Sequence, residues 1–347
     1  MLTKSELCKI KGLIEESNSI VVIPHVNPDG DGIGASTALC KLFVAMGKNS
    51  IVAIPNSPPA HLNWLAEGIT VLSYDKEDES KLLEESILSA DLLVVTDFNE
   101  VSRAGKLRPL IEAFNKNTIA IDHHPASDTQ WTESLIESGE CATCVVVYNL
   151  LVNIGLGDKL GVSVAESLYA GLLTDTGKFS HGINNSMPYK VAGALIECGV
   201  DHQRVIENLF HQEKLSSLKL RGFCLSEKLV VLENISVAYI CLTHEELSRF
   251  EFEPGDLEGI VNYPLSIKGV EMSALFTEQQ EGHTKISLRS KGDFAVNELA
   301  SMLYGGGGHK NAAGAKQYQT PEKVLSRLLR ELPNYEVQIG VERQNLK

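Results

Sequence analysis

Val21 to Ser36 reads VVIPHVNPDGDGIGAS, and the fold of the chain turns on how this stretch is read. The apolar run Ile20-Val21-Val22-Ile23 stops at Pro24. A loop then presents His25, Asp29 and Asp31 before Ile33 to Met46 takes up helical spacing. A strand, a polar loop and a helix in that order predict an α/β unit whose loop lies at the carboxyl end of the strand, where open α/β sheets bind ligands. One imidazole and two carboxylates within seven positions, spaced by Gly30 and Gly32, have the pattern of one arm of a metal site. From this loop alone, an Asp/Gly turn with an incidental histidine reads equally well.

Composition narrows the choice. A chain of 347 residues has room for two domains. The opening MLTKSELCKIKGLIEES carries no secretory h-region and no apolar run reaches the length of a membrane span, so a soluble, cytoplasmic protein is expected. Seven scattered cysteines argue against a disulfide framework. Cys141 and Cys144 form a C-x-x-C without a second pair, and they read as buried packing residues. The formal charge of −14 excludes a long basic groove for duplex nucleic acid. Any phosphates bound here should be few and held locally.

Further along, the same arrangement recurs. Asp91 to Thr96 is a continuous apolar strand with Asp97 at its end, and Thr118 to Ile121 is another that ends in Asp122-His123-His124. The apolar helix Val164 to Leu173 runs into Asp175. A second strand at Ser50 to Pro55 and helices near 81–88, 107–114 and 145–152 complete a doubly wound, mainly parallel sheet. Gln203 to Leu225 reads as one longer polar helix, within a connector at 187–226. From Leu229 the pattern changes to short alternating strands at 229–232, 236–242, 271–277 and 284–290, with a capping box at Thr243 and helices from Val296 and Pro321. The predicted domains are therefore 1–186, the connector, a smaller α/β domain at 227–335, and a polar tail at 336–347, with a cleft between the two domains.

His25, Asp29, Asp31, Asp97, His123 and Asp175 all fall at element ends. Four carboxylates and two imidazoles without a thiolate suit manganese or magnesium better than structural zinc. Carboxylates crowded this closely raise one another's pKa unless cations neutralise them, and two cations fit better than one. His61, His202, His211 and His244 lack such a setting and read as surface or capping residues, while His181, just past the Asp175 loop, stays open. Asp91 reads as a solvated turn residue.

The ordered segments HVNPDGDGIGAS, VVTDFN, IDHHPAS, LYAGLLTDTGKFS and GGGGHKNAAG resemble the motifs of the DHH phosphoesterase family with a DHHA1 C-terminal domain. The resemblance spans nearly the whole chain and is nearest to the bacterial oligoribonucleases that also remove the 3′-phosphate of pAp (3′-phosphoadenosine 5′-phosphate). It implies two divalent cations, Mn2+ foremost with Mg2+ or Co2+ as alternatives. His25 and Asp29 would hold one, Asp31, His123 and Asp175 the other, and Asp97 would bridge. It further implies catalytic roles for Asp122, orienting the pair, and His124, facing the substrate phosphate. Arg103 matches a family arginine loosely, and Phe98 stands where the family often has a small residue, a change expected to reshape the nearby pocket. The implied substrate is short RNA or a small nucleotide.

Substrate contacts are expected from Arg289 and Ser290 at a strand end and from Gly305, Gly306, Gly307, Gly308 and His309, whose backbone amides are read as converging on an anion. Cyclic- or linear-dinucleotide phosphodiesterases of the same build are the main rival, with exopolyphosphatase a weaker one. A non-catalytic nucleotide sensor is disfavoured because all six ligand positions are filled. The sequence leaves a homodimeric state open.

Overall fold

In the computed structural model, the structure describes residues 3–180, 182–212, 214–253, 255–280 and 282–335. His181 and the expected tail at 336–347 lie outside the described residues. Two compact units emerge, Met1–Gln212 and Glu213–Lys347. The stretch expected as one long helix forms two helices, the first ending at Phe210 and the next starting at Leu215. Helices α7 (Met187–Glu197) and α8 (His202–Phe210) belong to the first unit, and α9 (Leu215–Phe223) begins the second. The reason is burial, since Val191, Leu195, Val205 and Leu209 all join the core of the first unit.

The first unit holds strands β1 (Ser19–Pro24), β2 (Asn49–Ile54), β3 (Thr70–Ser73), β4 (Leu92–Thr96), β5 (Asn117–Asp122) and β6 (Glu133–Ile136). They form one parallel sheet in the order β3-β2-β1-β4-β5-β6. Along β1, Ile20 and Val22 point into one core while Val21 and Ile23 point into another, and β4 divides Leu92 and Val94 from Leu93 and Val95 in the same way. That two-residue alternation needs apolar cover on both faces. Helices α1 (Lys4–Glu16), α2 (Gly30–Ala45), α5 (Thr143–Asn153) and α6 (Val162–Asp175) bury one face. α3 (Glu77–Ser89) and α4 (Arg108–Ala113) bury the other. Strand order reverses between β1 and β4, so their carboxyl ends flank the crevice of a doubly wound sheet. Phe98 is wholly buried in the second of these cores, edge-on to Trp131 with ring centroids 6.4 Å apart, so it fills the interior and does not shape a pocket.

In the second unit, β7 (Leu229–Leu232), β8 (Val237–Leu242), β9 (Met272–Gln279), β10 (His283–Ser290), β11 (Gly307–His309) and β12 (Ala312–Gln317) form a mixed sheet in the order β11-β12-β10-β9-β8-β7. After α9 its α-helices are α10 (His244–Ser248), which begins at the Thr243–Glu246 capping box, α11 (Val296–Tyr304) and α12 (Pro321–Glu331). The chain stays ordered past α12, since a 3-10 turn covers Leu332–Tyr335 and Leu332 is buried.

The contact between α2 and α6 places two of the site elements. Gly30, Gly34 and Ala38 recur every four residues along one face of α2, which lets the helix axes approach closely. A Cβ at Gly34 would lie 2.6 Å from the Ser167 carbonyl and 3.0 Å from the Gly171 nitrogen, both backbone atoms that cannot step aside. Gly34→Ala is therefore expected to force the helices apart and cost about 1–3 kcal/mol. A urea titration checks this, and an unchanged midpoint would contradict the packing argument.

Candidate metal centre

Each polar residue of the centre is set by the element it ends or begins. His25 follows β1 and Asp97 follows β4, one step beyond the paired residues Pro24 and Thr96, so the two are neighbours by register. Asp97 takes a left-handed conformation (φ 64°), and its N–H donates to the Ile121 carbonyl at 3.0 Å. Asp122 closes β5 and is followed by His123 and His124. Helix α2 starts earlier than its apolar spacing suggests because Asp29 caps it, accepting from the Asp31 and Gly32 N–H groups at 3.1 Å each. Asp31 thus lies in the first turn of α2, and Asp175 is the last residue of α6.

These placements bring all six predicted ligands together. The ligand atoms of His25, Asp29 and Asp97 lie within 4.8 Å of one another, and so do those of Asp31, His123 and Asp175. Asp97 belongs to both sides. Its Oδ2 is 3.2 Å from His25 Nε2, while its Oδ1 is 3.6 Å from His123 Nε2 and 3.5 Å from His124 Nδ1. His123 Nε2 also sits 3.5 Å from Asp175 Oδ2.

The ring orientations follow from the backbone. His25 Nδ1 is 2.8 Å from the Val26 carbonyl and His123 Nδ1 is 3.2 Å from the Glu140 carbonyl. A carbonyl only accepts, so both rings carry a proton on Nδ1 and turn Nε2 toward the carboxylates, a lone pair there whenever the ring is neutral. His25 Nε2 is buried and, although Asp97 Oδ2 is 3.2 Å away, makes no hydrogen bond of good geometry among the described residues. A buried imidazole lone pair aimed at carboxylates fits a cation, because it can accept nothing from an ionised carboxylate.

Two supporting residues, Thr143 and Asn99, were not singled out from the sequence. The Thr143 and Cys144 N–H groups at the start of α5 donate to the two oxygens of Asp31 at 2.5 and 2.9 Å, so a helix N-terminus holds this carboxylate. The Thr143 hydroxyl donates to Asp97 Oδ1 at 2.9 Å. Asn99 donates to Asp122 Oδ2 at 2.7 Å and accepts from the Ser127 N–H at 2.7 Å, fixing the loop after the histidines. The sequence signals were present, a threonine at a helix start and an asparagine two residues past Asp97. Their partners lie 112 and 23 positions away, however. Cys141 and Cys144 are both buried, as expected of packing residues.

Asp122 accepts from His124 Nδ1 at 2.8 Å and from the His124 N–H at 3.1 Å, so it orients this ring. Burial works against its charge, but His124 and Asn99 more than offset this and hold its carboxyl below the usual range. Arg103 reaches the site through its backbone, where its carbonyl accepts from the Val26 N–H at 2.7 Å. In the second unit, Ser290 is committed to structure, donating to the Phe294 carbonyl and accepting from Asn311. Arg289 donates to the Leu288 carbonyl and forms no ion pair among the described residues, and burial pushes its pKa down.

The glycine run differs from the expected anion cradle. The Gly305 and Gly306 amides are spent on the Ser301 and Ala300 carbonyls that end α11, and Gly307 to His309 is an edge strand. Glycine is required at Gly306 because a Cβ there would stand 2.2 Å from the Gly314 carbonyl. A cavity of about 470 Å³ borders the run, lined by Asn297, Glu298, Ser301 and Met302 with Gly306 to Gly308.

Left to themselves, the ligand charges conflict. Burial and then Asp97 push Asp31 up to about 7, and burial and then Asp31 push Asp175 up to about 8. At His25 burial opposes the charge, but Asp29 and Asp97 outweigh it and raise the imidazole to about 10. Protons and cations therefore compete for the same atoms.

Fold and donor set together define a doubly wound α/β protein with a carboxylate–imidazole metal centre at the sheet's switch point. The chain belongs to the DHH family: the DHH family, N-terminal domain, matches residues 19–172 and the DHHA1 domain matches residues 234–335. It is 29% identical to a Thermus thermophilus protein named bifunctional oligoribonuclease and PAP phosphatase, over 90% of each chain. It is 27% identical to the cyclic-di-AMP phosphodiesterase of Bacillus subtilis, over 94% of this chain and 49% of that protein. A solved exopolyphosphatase-related protein from Bacteroides fragilis is 32% identical, with a TM-score of 0.93 over 97% of this chain and 99% of its own. Among the described residues, no helix is long and apolar enough to cross a membrane.

The pKa directions fix the sign of a pH effect. Groups raised to about 7, 8 and 10 hold protons at neutral pH and must release them to a cation, so Mn2+ affinity should rise with pH, up to tenfold per unit for each proton released. Calorimetric Mn2+ titrations at pH 6.5 and 8.0, in buffers of different ionisation enthalpy, check this. Affinity independent of pH and buffer would contradict it.

Proposed function

We propose that the chain is a divalent-cation-dependent phosphoric ester hydrolase that cleaves very short oligoribonucleotides and removes the 3′-phosphate of pAp. The observation that carries this reading is the double engagement of Asp97, whose two oxygens face two separate donor groups. His25 and Asp29 would hold one cation, Asp31, His123 and Asp175 the other, with Asp97 between them. Mn2+ is the proposed ion, because oxygen and imidazole donors without thiolate suit it. Such a pair, when bound, activates water and stabilises the oxygens of an in-line displacement at phosphorus.

The chain's own groups prepare that step. Asp122 and Asn99 fix the His124 ring, which presents its opposite edge to the substrate phosphoryl group and supports charge developing there. Thr143 steadies Asp97 from behind. Arg289, a half-buried guanidinium in the second unit, supplies a planar fork for a substrate phosphate. Gly306, Gly307 and Gly308 border open space beside α11, where a short nucleotide would meet exposed backbone.

A dinucleotide phosphodiesterase is the second reading, favoured by the likeness to the Bacillus subtilis protein. Coverage ranks the two, since the Thermus relative is matched over 90% of its length and the phosphodiesterase over 49%. A turnover panel with Mn2+ on a diribonucleotide, pAp, cyclic-di-AMP and polyphosphate separates them, with the first two expected to be fastest.

Two substitutions divide the proposed roles. Asp97→Ala should abolish turnover and lose at least one tightly bound ion, as chelation should silence the wild type. His124→Ala should lose turnover by about 10²–10⁴ with metal content intact. Metal analysis beside the assay checks both. Full activity in excess chelator contradicts the mechanism, and loss of an ion from His124→Ala reassigns the two histidines.

A further inference from the structure

Just beyond Asp175 the chain makes a left-handed turn, in which Gly177, Lys178 and Phe179 have φ of 52°, 59° and 63°. Lysine and phenylalanine disfavour this conformation, so the surroundings must impose it, and such imposed strain clusters at functional sites. Backbone N–H groups fix the turn. Lys178 N–H donates to the Leu173 carbonyl at 2.8 Å, Phe179 N–H to the Thr176 hydroxyl at 3.1 Å, and Ser180 N–H to the Thr176 carbonyl at 2.8 Å. Phe179 is thereby held within about one turn of chain from Asp175.

The turn sorts its two side chains. Lys178 lays its ammonium over the Phe210 ring, 4.2 Å from the centroid. Phe179 packs against the core of the unit and stacks on Tyr189, with ring centroids 5.1 Å apart and planes 19° from parallel. Tyr189 sits in the first turn of α7, directly after the buried Pro188, and is 54% exposed. An exposed aromatic ring is thus rigidly backed by a residue four positions past a proposed metal ligand, in a chain that is only 6% aromatic.

We propose that Tyr189, backed by Phe179, is the stacking face for a nucleobase of the substrate whose phosphate is held at the carboxylate–imidazole cluster. The inference rests on the hydrolase reading above and adds to it the residue that distinguishes a nucleotide from any other phosphate ester. Stacking suits this acidic chain, because a base's π face is bound without a cationic groove and with little regard to sequence. Tyr189 is a positioning residue and takes no part in bond breaking.

The test compares wild type, Tyr189→Ala and Tyr189→Phe on pAp and on abasic ribose 3′,5′-bisphosphate with Mn2+. Tyr189→Ala should raise KM for pAp about tenfold or more while sparing kcat and the kinetics on the abasic ester, and Tyr189→Phe should restore KM. An equal change on both substrates, or none on pAp, overturns the proposal. If the wild type turns over neither compound, the hydrolase reading fails, and the stacking face is then read from calorimetric titration of AMP into Mn2+-loaded protein. About tenfold weaker binding to Tyr189→Ala than to the other two supports it. Equal affinity in all three, or no binding to the wild type, overturns it.

Discussion

The structure of the centre depends on one buried carboxylate. Asp97 is 2% exposed, stands where the parallel sheet reverses its winding, and shares its two oxygens between His25 and the His123–His124 pair. A carboxylate so deeply buried is costly unless paired, and the nearby Asp31 and Asp175 add repulsion of the same sign. A protonated His25 offsets only part of this, since it faces Asp97 and Asp29 while Asp31 and Asp175 are still pushed up to about 7 and 8. Divalent cations satisfy both the carboxylate oxygens and the Nε2 lone pairs at once.

The scaffold places these groups on rigid element ends rather than on long loops. Glycines on α2 and α6 let the helices approach closely enough for Asp31 and Asp175 to meet His123. The start of α5 then offers its amides to Asp31, and Thr143 bonds Asp97. Orientation is therefore set before any ligand arrives, which is the condition for electrostatic catalysis. The same economy extends to Asp122, a buried residue that bonds both the His124 ring and Asn99.

Much of this was legible from residue order. Continuous apolar runs at 20–23 and 91–96 gave fully buried strands, and acids or histidines directly after them gave the centre. β3 and β6 escaped because edge strands of four residues with few apolar positions carry no clear period. The separation of α8 from α9 has no proline or glycine to announce it and arises from the division of the chain into two units. Thr143 and Asn99 were unreadable because their roles exist only once distant elements meet. Ser290 and the first two glycines of the run misled because a strand end and a glycine run suggest a ligand site, whereas helix termination and side-chain bonding had already claimed their polar groups.

The electron paramagnetic resonance spectrum of the chain titrated with Mn2+ tests the central claim most directly, because a shared carboxylate couples two ions magnetically. The account predicts two ions bound per chain with an exchange-coupled spectrum that collapses to uncoupled Mn2+ in Asp97→Ala. A single uncoupled ion at saturation in the wild type would contradict it.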